Sequence, residues 1–143
     1  MKIRLIMLGK TRREECRSLV DDYVSRIRRY NEIEVNELRE ASAAALRKLK
    51  IEPSAVTVLL DAAGKQFTSQ QFAKWLGELR DRSVRELVFL CGDAEGFPEG
   101  IRATSTHKIS LSTLTMPHEF ARVVLAEQIY RAFAILAGHP YPK

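Results

Sequence analysis

Apolar positions along the chain change period repeatedly, from two residues to about 3.6 and back. Residues 2–8 are rich in Ile and Leu and read as a strand that Gly9 ends. Thr11 and Glu14 have capping-box spacing. Leu19, Val20, Tyr23, Val24 and Ile27 then recur at helical intervals, predicting a helix to about Tyr30. Its other face carries Arg12, Arg13, Arg17, Arg26, Arg28 and Arg29. Ile33 and Val35 begin a short strand, residues 41–50 form an alanine-rich helix closed by Pro53, and residues 55–60 are the clearest strand. Residues 61–65 follow as a loop, and Thr68 or Ser69 caps a helix through Phe72, Trp75, Leu76 and Leu79. Residues 86–91 are nearly all apolar, as in a strand buried on both faces. Residues 92–100 hold three glycines and Pro98 and read as a loop with a short helical turn starting at Pro98. A last strand spans 108–111 and a loop spans 112–116. A long helix runs from about His118 to Ala137, stopped by Gly138 and Pro140. Strands alternating with helices predict an α/β fold with a mostly parallel sheet flanked by helices, as one domain over residues 1–143.

A length of 143 residues with 45% hydrophobic content suits one domain with a core. The first apolar run is too short for a signal-peptide core, and nowhere do 18 apolar residues follow one another, so a soluble, cytoplasmic protein without a membrane partner is expected. Cys16 and Cys91 lie far apart without metal-ligand spacing, which predicts two reduced thiols and no metal. The net charge of +5 favours a polyanionic partner such as nucleic acid.

In open α/β sheets, ligands bind beyond the carboxyl ends of the strands, which directs attention to the loops after Leu60, Cys91 and Leu111. They contribute Asp61 to Lys65, then Gly92-Asp93-Ala94-Glu95-Gly96, then Ser112-Thr113-Leu114-Thr115-Met116-Pro117. Backbone donors and acceptors beside small or apolar walls suit an adenosine group. Neither a Gly-x-Gly-x-x-Gly nor a Gly-Lys-Ser/Thr pattern is present, which argues against a nucleoside triphosphate enzyme. The last helix places Glu119 and Arg122 in one polar spot and Glu127, Gln128 and Arg131 in another, with apolar residues between. A helix apolar on more than one face is buried by its own domain or also by a partner, so a homodimer is expected.

The run Leu111-Ser112-Thr113-Leu114-Thr115-Met116-Pro117-His118 carries a family resemblance. So do Arg122-Val123, Ala126-Glu127-Gln128-Ile129-Tyr130-Arg131-Ala132 and His139-Pro140-Tyr141. The chain resembles the RlmH family, ribosomal large-subunit pseudouridine methyltransferases of the SPOUT superfamily. The likeness runs along the whole chain and is most specific from Leu87 onward. The resemblance implies a trefoil-knotted α/β fold, a homodimer, S-adenosylmethionine bound in the knot, and methyl transfer to ring nitrogen 3 of a pseudouridine. The RNA partner would be ribosomal RNA or the assembled ribosome. Carried over by position, the cofactor residues are Leu60, Gly92, Leu111, Ser112, Thr113, Leu114, Thr115 and Met116. Arg131 and Tyr141 are the expected catalytic residues, and Arg122 and His139 the expected RNA contacts. Arg131 or Arg122 would stabilise an anionic acceptor, and His118, His139 and Tyr141 are candidate bases. The arginines of the first helix, with Arg47, Lys48 and Lys50, are expected phosphate contacts.

Two positions depart from the family pattern. Gly92-Asp93 stands where two glycines are usual, and Tyr141-Pro142 where Tyr-His is usual. The first predicts an altered backbone approach to the cofactor, because Asp takes positive φ less readily than Gly. The second removes a candidate proton acceptor or RNA contact. The alternatives are an RNA-binding module without catalysis and a hydrolase with Cys91 as nucleophile and His118 or His139 as base.

Overall fold

Alternation along the first strand sets the layering of the protein. In the computed structural model, which describes residues 1–93 and 95–141, β1 (Lys2–Leu8) sends Ile3, Leu5 and Met7 into one core and Ile6 and Leu8 into a second. With β2 (Ile33–Leu38), β3 (Val56–Gln66), β4 (Glu86–Cys91) and β5 (His107–Ser110) it forms a parallel sheet in the order β2-β1-β4-β3-β5. The first core is closed by α1 (Glu14–Ile27), α3 (Ser69–Asp81) and α5 (His118–Leu136) through Val20, Val24, Phe72, Leu76, Leu125, Ile129 and Phe133. The second is closed by α2 (Ala43–Lys48) and α4 (Glu99–Thr104), with Phe97, Leu46, Leu49 and Ile101 packed on it.

β4 lies between β1 and β3 under both layers, and all its residues are buried, as its unbroken apolar run predicted. Its one charged residue, Glu86, faces Arg4 Nη1 at 3.6 Å, and the same guanidinium reaches Glu34 Oε1 at 2.8 Å and the Leu49 carbonyl at 2.7 Å. A buried charge is tolerated only when paired in this way.

Thr68 caps α3 as expected, in a capping box with Gln71. Four expectations change. Thr11 does not cap α1: the helix begins after Arg13, which has no side-chain cap of its own, and Glu119 of α5 accepts the Arg13 backbone N–H instead at 2.9 Å. α1 ends at Ile27 rather than Tyr30, and β5 ends at Ser110, leaving Leu111 to the following loop. Residues 61–65 are not simply a loop, because β3 continues to Gln66. After Leu60 pairs with Ile109 the strand bulges, and Lys65 then pairs with the same Ile109. Gly64 makes the return possible, since a Cβ there would lie 2.6 Å from the Lys108 carbonyl carbon.

Candidate active site

The carboxyl ends of β3, β4 and β5 open on one cavity of about 360 Å3, walled by the segment after Leu60, the loop after Cys91 and the loop after Ser110. Parallel strands make this arrangement, because every strand delivers its outgoing loop to the same edge. Leu60, Gly92, Leu111, Ser112, Leu114, Thr115 and Met116 line the cavity, so seven of the expected cofactor residues are brought together. Thr113 is exposed in the same loop but forms no part of the wall.

The walls are held by local hydrogen bonds. Ser110 Oγ donates to the Ser112 carbonyl at 3.0 Å, and Ser112 Oγ accepts the Leu114 N–H at 2.9 Å. In the loop after β4, Asp93 Oδ1 accepts the N–H of Glu95 at 3.0 Å and of Gly96 at 3.1 Å. The left-handed position belongs to Gly96, with φ of +77°, and Asp93 does not share it. The expected difficulty at Asp93 therefore does not arise. Gly92 is required for another reason, since a Cβ there would lie 2.9 Å from Gly96 Cα. Pro142, the second departure, lies outside the described residues.

Sequence reasoning missed Arg102 in the wall. Arg102 Nη2 donates to Asp61 Oδ2 at 2.6 Å, tying α4 to the segment after Leu60, and both residues line the cavity. Asp93, Glu95 and His118 line it as well. Cys91 also reaches the wall, but it is buried, and burial pushes its thiol up to about 12, against an opposing effect of Arg122. A thiol held protonated in this way is a poor nucleophile, which removes the physical basis for the hydrolase alternative.

Arg122 is buried completely. Its guanidinium donates to the Leu8 carbonyl at 2.6 Å, the Gly9 carbonyl at 3.0 Å and Thr11 Oγ1 at 2.9 Å. The expected RNA contact at Arg122 is therefore corrected: the side chain is fully buried, and its two Nη atoms fasten α5 to the end of β1. Glu119 beside it is also buried, and the backbone N–H of Arg13 holds its carboxyl below the usual range despite the opposing effect of burial.

Arg131 and Tyr141 meet each other at the far end of α5. Arg131 Nη2 lies 2.7 Å from Glu127 Oε2, to which the Tyr141 hydroxyl donates at 2.9 Å, and the guanidinium sits 4.7 Å from the Tyr141 ring centroid. Burial and then hydrogen bonds to Tyr23 and Glu127 raise the Tyr141 phenol, so at neutral pH it is a proton donor and not a base. His139 is exposed nearby. Arg131 lies ten residues beyond Ala121, the last α5 residue on the cavity wall. At 1.5 Å per residue that is about 15 Å. Within one chain the expected catalytic pair and the cofactor cavity are thus apart.

A parallel sheet with its cavity at the carboxyl edge is the arrangement of α/β proteins that bind a ligand beyond their strand ends. A family model described as "Predicted SPOUT methyltransferase" matches residues 1–142. The chain is 41% identical over 151 residues to the ribosomal RNA large subunit methyltransferase H of Geobacter metallireducens, covering 99% of this chain and 98% of that protein. It is also 41% identical over 144 residues to the protein of that name from Koribacter versatilis, covering 99% and 97%. Among solved structures, the tRNA (m1G37) methyltransferase of Aquifex aeolicus matches with a TM-score of 0.61 at 15% identity, over 100% of this chain and 75% of that one. The chain belongs to the SPOUT methyltransferases, within the family of ribosomal RNA large subunit methyltransferase H.

Proposed function

We propose that this protein methylates ring nitrogen 3 of a pseudouridine in large-subunit ribosomal RNA, using S-adenosylmethionine and acting as a homodimer in the cytoplasm. The observation that carries the reading is the convergence of three loops on one cavity in a chain of this family. The cavity volume falls in the range of ligand sites, roughly 300–1,000 Å3. Leu60, Leu111, Leu114 and Met116 offer apolar surface for an adenine, beside the backbone polar groups of the loops. The family's knot would be formed by these same segments, and the tight passage of Gly64 against Lys108 agrees with a crowded crossing there.

When bound, S-adenosylmethionine supplies an electrophilic methyl group on a sulfonium. The residues of the chain then have two tasks, to hold the acceptor nitrogen in line with that methyl and to ease loss of its proton. The acceptor nitrogen's proton would pass to solvent. A cation near the acceptor favours its deprotonated form. Arg131 carries that cation, and hydrogen bonding to Glu127 raises its pKa further. Because Arg131 lies about 15 Å along α5 from the nearest wall of its own cavity, we assign the role to Arg131 and Tyr141 of a second copy. The half-exposed apolar residues Leu19 and Tyr30 of the α1 region and Phe120 and Ile135 of α5 support a partner on this side. Lys10, Arg12 and Arg13 are exposed just beyond the carboxyl end of β1, on the cavity's edge of the sheet, where they suit RNA phosphates.

The test is transfer of labelled methyl from S-adenosylmethionine to ribosomes lacking the modification, with the product nucleoside identified by mass spectrometry. A 3-methylpseudouridine is expected. A different methylated nucleoside would refute the assigned target, and no incorporation into ribosomes or free ribosomal RNA would refute the activity.

A further inference from the structure

Arg131, Tyr141 and Gln128 all donate to the carboxylate of Glu127. Oε2 accepts Arg131 Nη2 at 2.7 Å, Arg131 Nε at 3.2 Å and the Tyr141 hydroxyl at 2.9 Å, and Oε1 accepts Gln128 Nε2 at 2.8 Å. The bonds continue beyond α5, because Gln128 Oε1 accepts Ser69 Oγ at 2.7 Å. Ser69 is the first residue of α3, directly after the Thr68 cap whose capping box fixes this helix start. α3 and α5 are closely packed in turn, since a Cβ on Gly77 would lie 2.9 Å from Leu136 Cδ2. An ordinary i,i+4 surface pair has no such bracing. Arg26 and Asp22 on α1 form one at 3.2 Å, with side chains 44% and 49% exposed, against 23% and 18% for Arg131 and Glu127.

We propose that Glu127 is a positioning residue, which holds the Arg131 guanidinium and the Tyr141 phenol in one fixed geometry and is itself braced against α3 through Gln128 and Ser69. The inference rests on the reading that Arg131 and Tyr141 act in a second copy's cavity. Side chains that serve another copy's cavity are not shaped by their own, about 15 Å away, so their geometry has to be set inside the chain that supplies them. Glu127 sets it in two directions. Its bonds to Nε and Nη2 fix the guanidinium in its plane, and by holding the phenol it keeps the Tyr141 ring centroid 4.7 Å from the guanidinium carbon. An arginine free to sample its rotamers loses that alignment, and a displacement of about 1 Å lowers a rate by up to about a hundredfold.

Methyl transfer by the full chain to ribosomes lacking the modification, in steady state and in single turnover, tests this. Glu127→Gln keeps the size of the side chain and removes its charge. It is expected to lower kcat about ten- to a hundredfold, with KM for S-adenosylmethionine unchanged, because Glu127 is no part of the cavity wall. Ser69→Ala and Gln128→Ala each remove one link behind Glu127 and are expected to lower kcat about two- to tenfold. In a chain already carrying Arg131→Met and Tyr141→Phe, Glu127→Gln should cost nothing further, since nothing is left to position. Wild-type kcat in Glu127→Gln, an equal loss in both backgrounds, or a KM that rises as kcat falls overturns the inference alone. If Glu127→Gln does not fold, wild-type kcat in both Ser69→Ala and Gln128→Ala overturns it instead. Arg131→Met and Tyr141→Phe proteins with wild-type kcat overturn the catalytic reading and the inference with it.

Discussion

Replacing Arg122 by methionine distinguishes a structural arginine from an RNA contact. The guanidinium makes three hydrogen bonds, at 2.6, 2.9 and 3.0 Å, to groups at the end of β1 and at Thr11. A bond involving a charged group contributes about 1.5–3 kcal/mol. Against this, methionine removes a fully buried charge whose Nε has no partner among the described residues, which returns part of the desolvation cost. The balance is a loss of about 3 kcal/mol, because two carbonyls and a hydroxyl are left buried without a donor. For a domain of this size that corresponds to a fall in Tm of about 6–12 °C, measurable by differential scanning calorimetry. The second readout is RNA affinity against salt. Loss of a phosphate contact lowers the log–log slope by about 0.9. Arg122→Met should leave the slope unchanged. A wild-type Tm combined with a reduced slope would show that the guanidinium reaches RNA and that the buried network is not what fastens α5.

Three further outcomes follow from the same contacts. Glu119→Gln should destabilise the protein at neutral pH. The folded carboxyl lies below its ordinary value, so its contribution is present above pH about 4.5 and is lost as pH falls through the folded pKa. Urea melts of wild type and variant should therefore converge as pH drops from about 6 toward 3, and a constant difference would refute the role of the carboxylate. Gly64→Ala should cost about 2–4 kcal/mol and weaken cofactor binding, because its Cβ would meet backbone at 2.6 Å; a fully stable variant would mean that the β3–β5 passage has slack. Cys91→Ala should retain methyl transfer. Burial pushes the thiol up to about 12, so native Cys91 stays protonated at pH 8 and should resist iodoacetamide in peptide mapping.

The fold was legible wherever a signal is local. Period two in β1, the unbroken apolar run of β4, the Thr68 cap of α3 and the long helix from His118 each appear as predicted. The failures share a cause. Thr11 and Glu14 satisfy the capping-box pattern, yet the Thr11 hydroxyl accepts from Arg122 while Glu119 caps the helix, both from more than a hundred residues away. Similarly, Asp61 to Gly64 looks like a loop because its composition is that of a turn. What makes β3 resume is pairing with Ile109, which no window around Gly64 contains.

The site shows the same division more sharply. The three loops were found from the rule that parallel strands expose their ligands at the carboxyl edge, and that rule needs only the strand ends. Polar residues of α5 were read as two surface spots from their angular positions, and angle alone cannot tell a polar face turned to water from one turned inward. Arg122 and Glu119 are the inward case: a guanidinium facing strand-end carbonyls and a carboxylate facing a helix N-terminus satisfy each other's surroundings without any solvent. The sequence signal that would have found them is the lack of a good side-chain cap at Arg13 together with the carbonyls at the end of β1 that need donors. A buried polar pair on a terminal helix is then an answer to unsatisfied backbone elsewhere. The same reasoning separates Arg122 from Arg131, which stays partly exposed with a carboxylate and a phenol beside it, and is the arginine left in a position to meet a substrate.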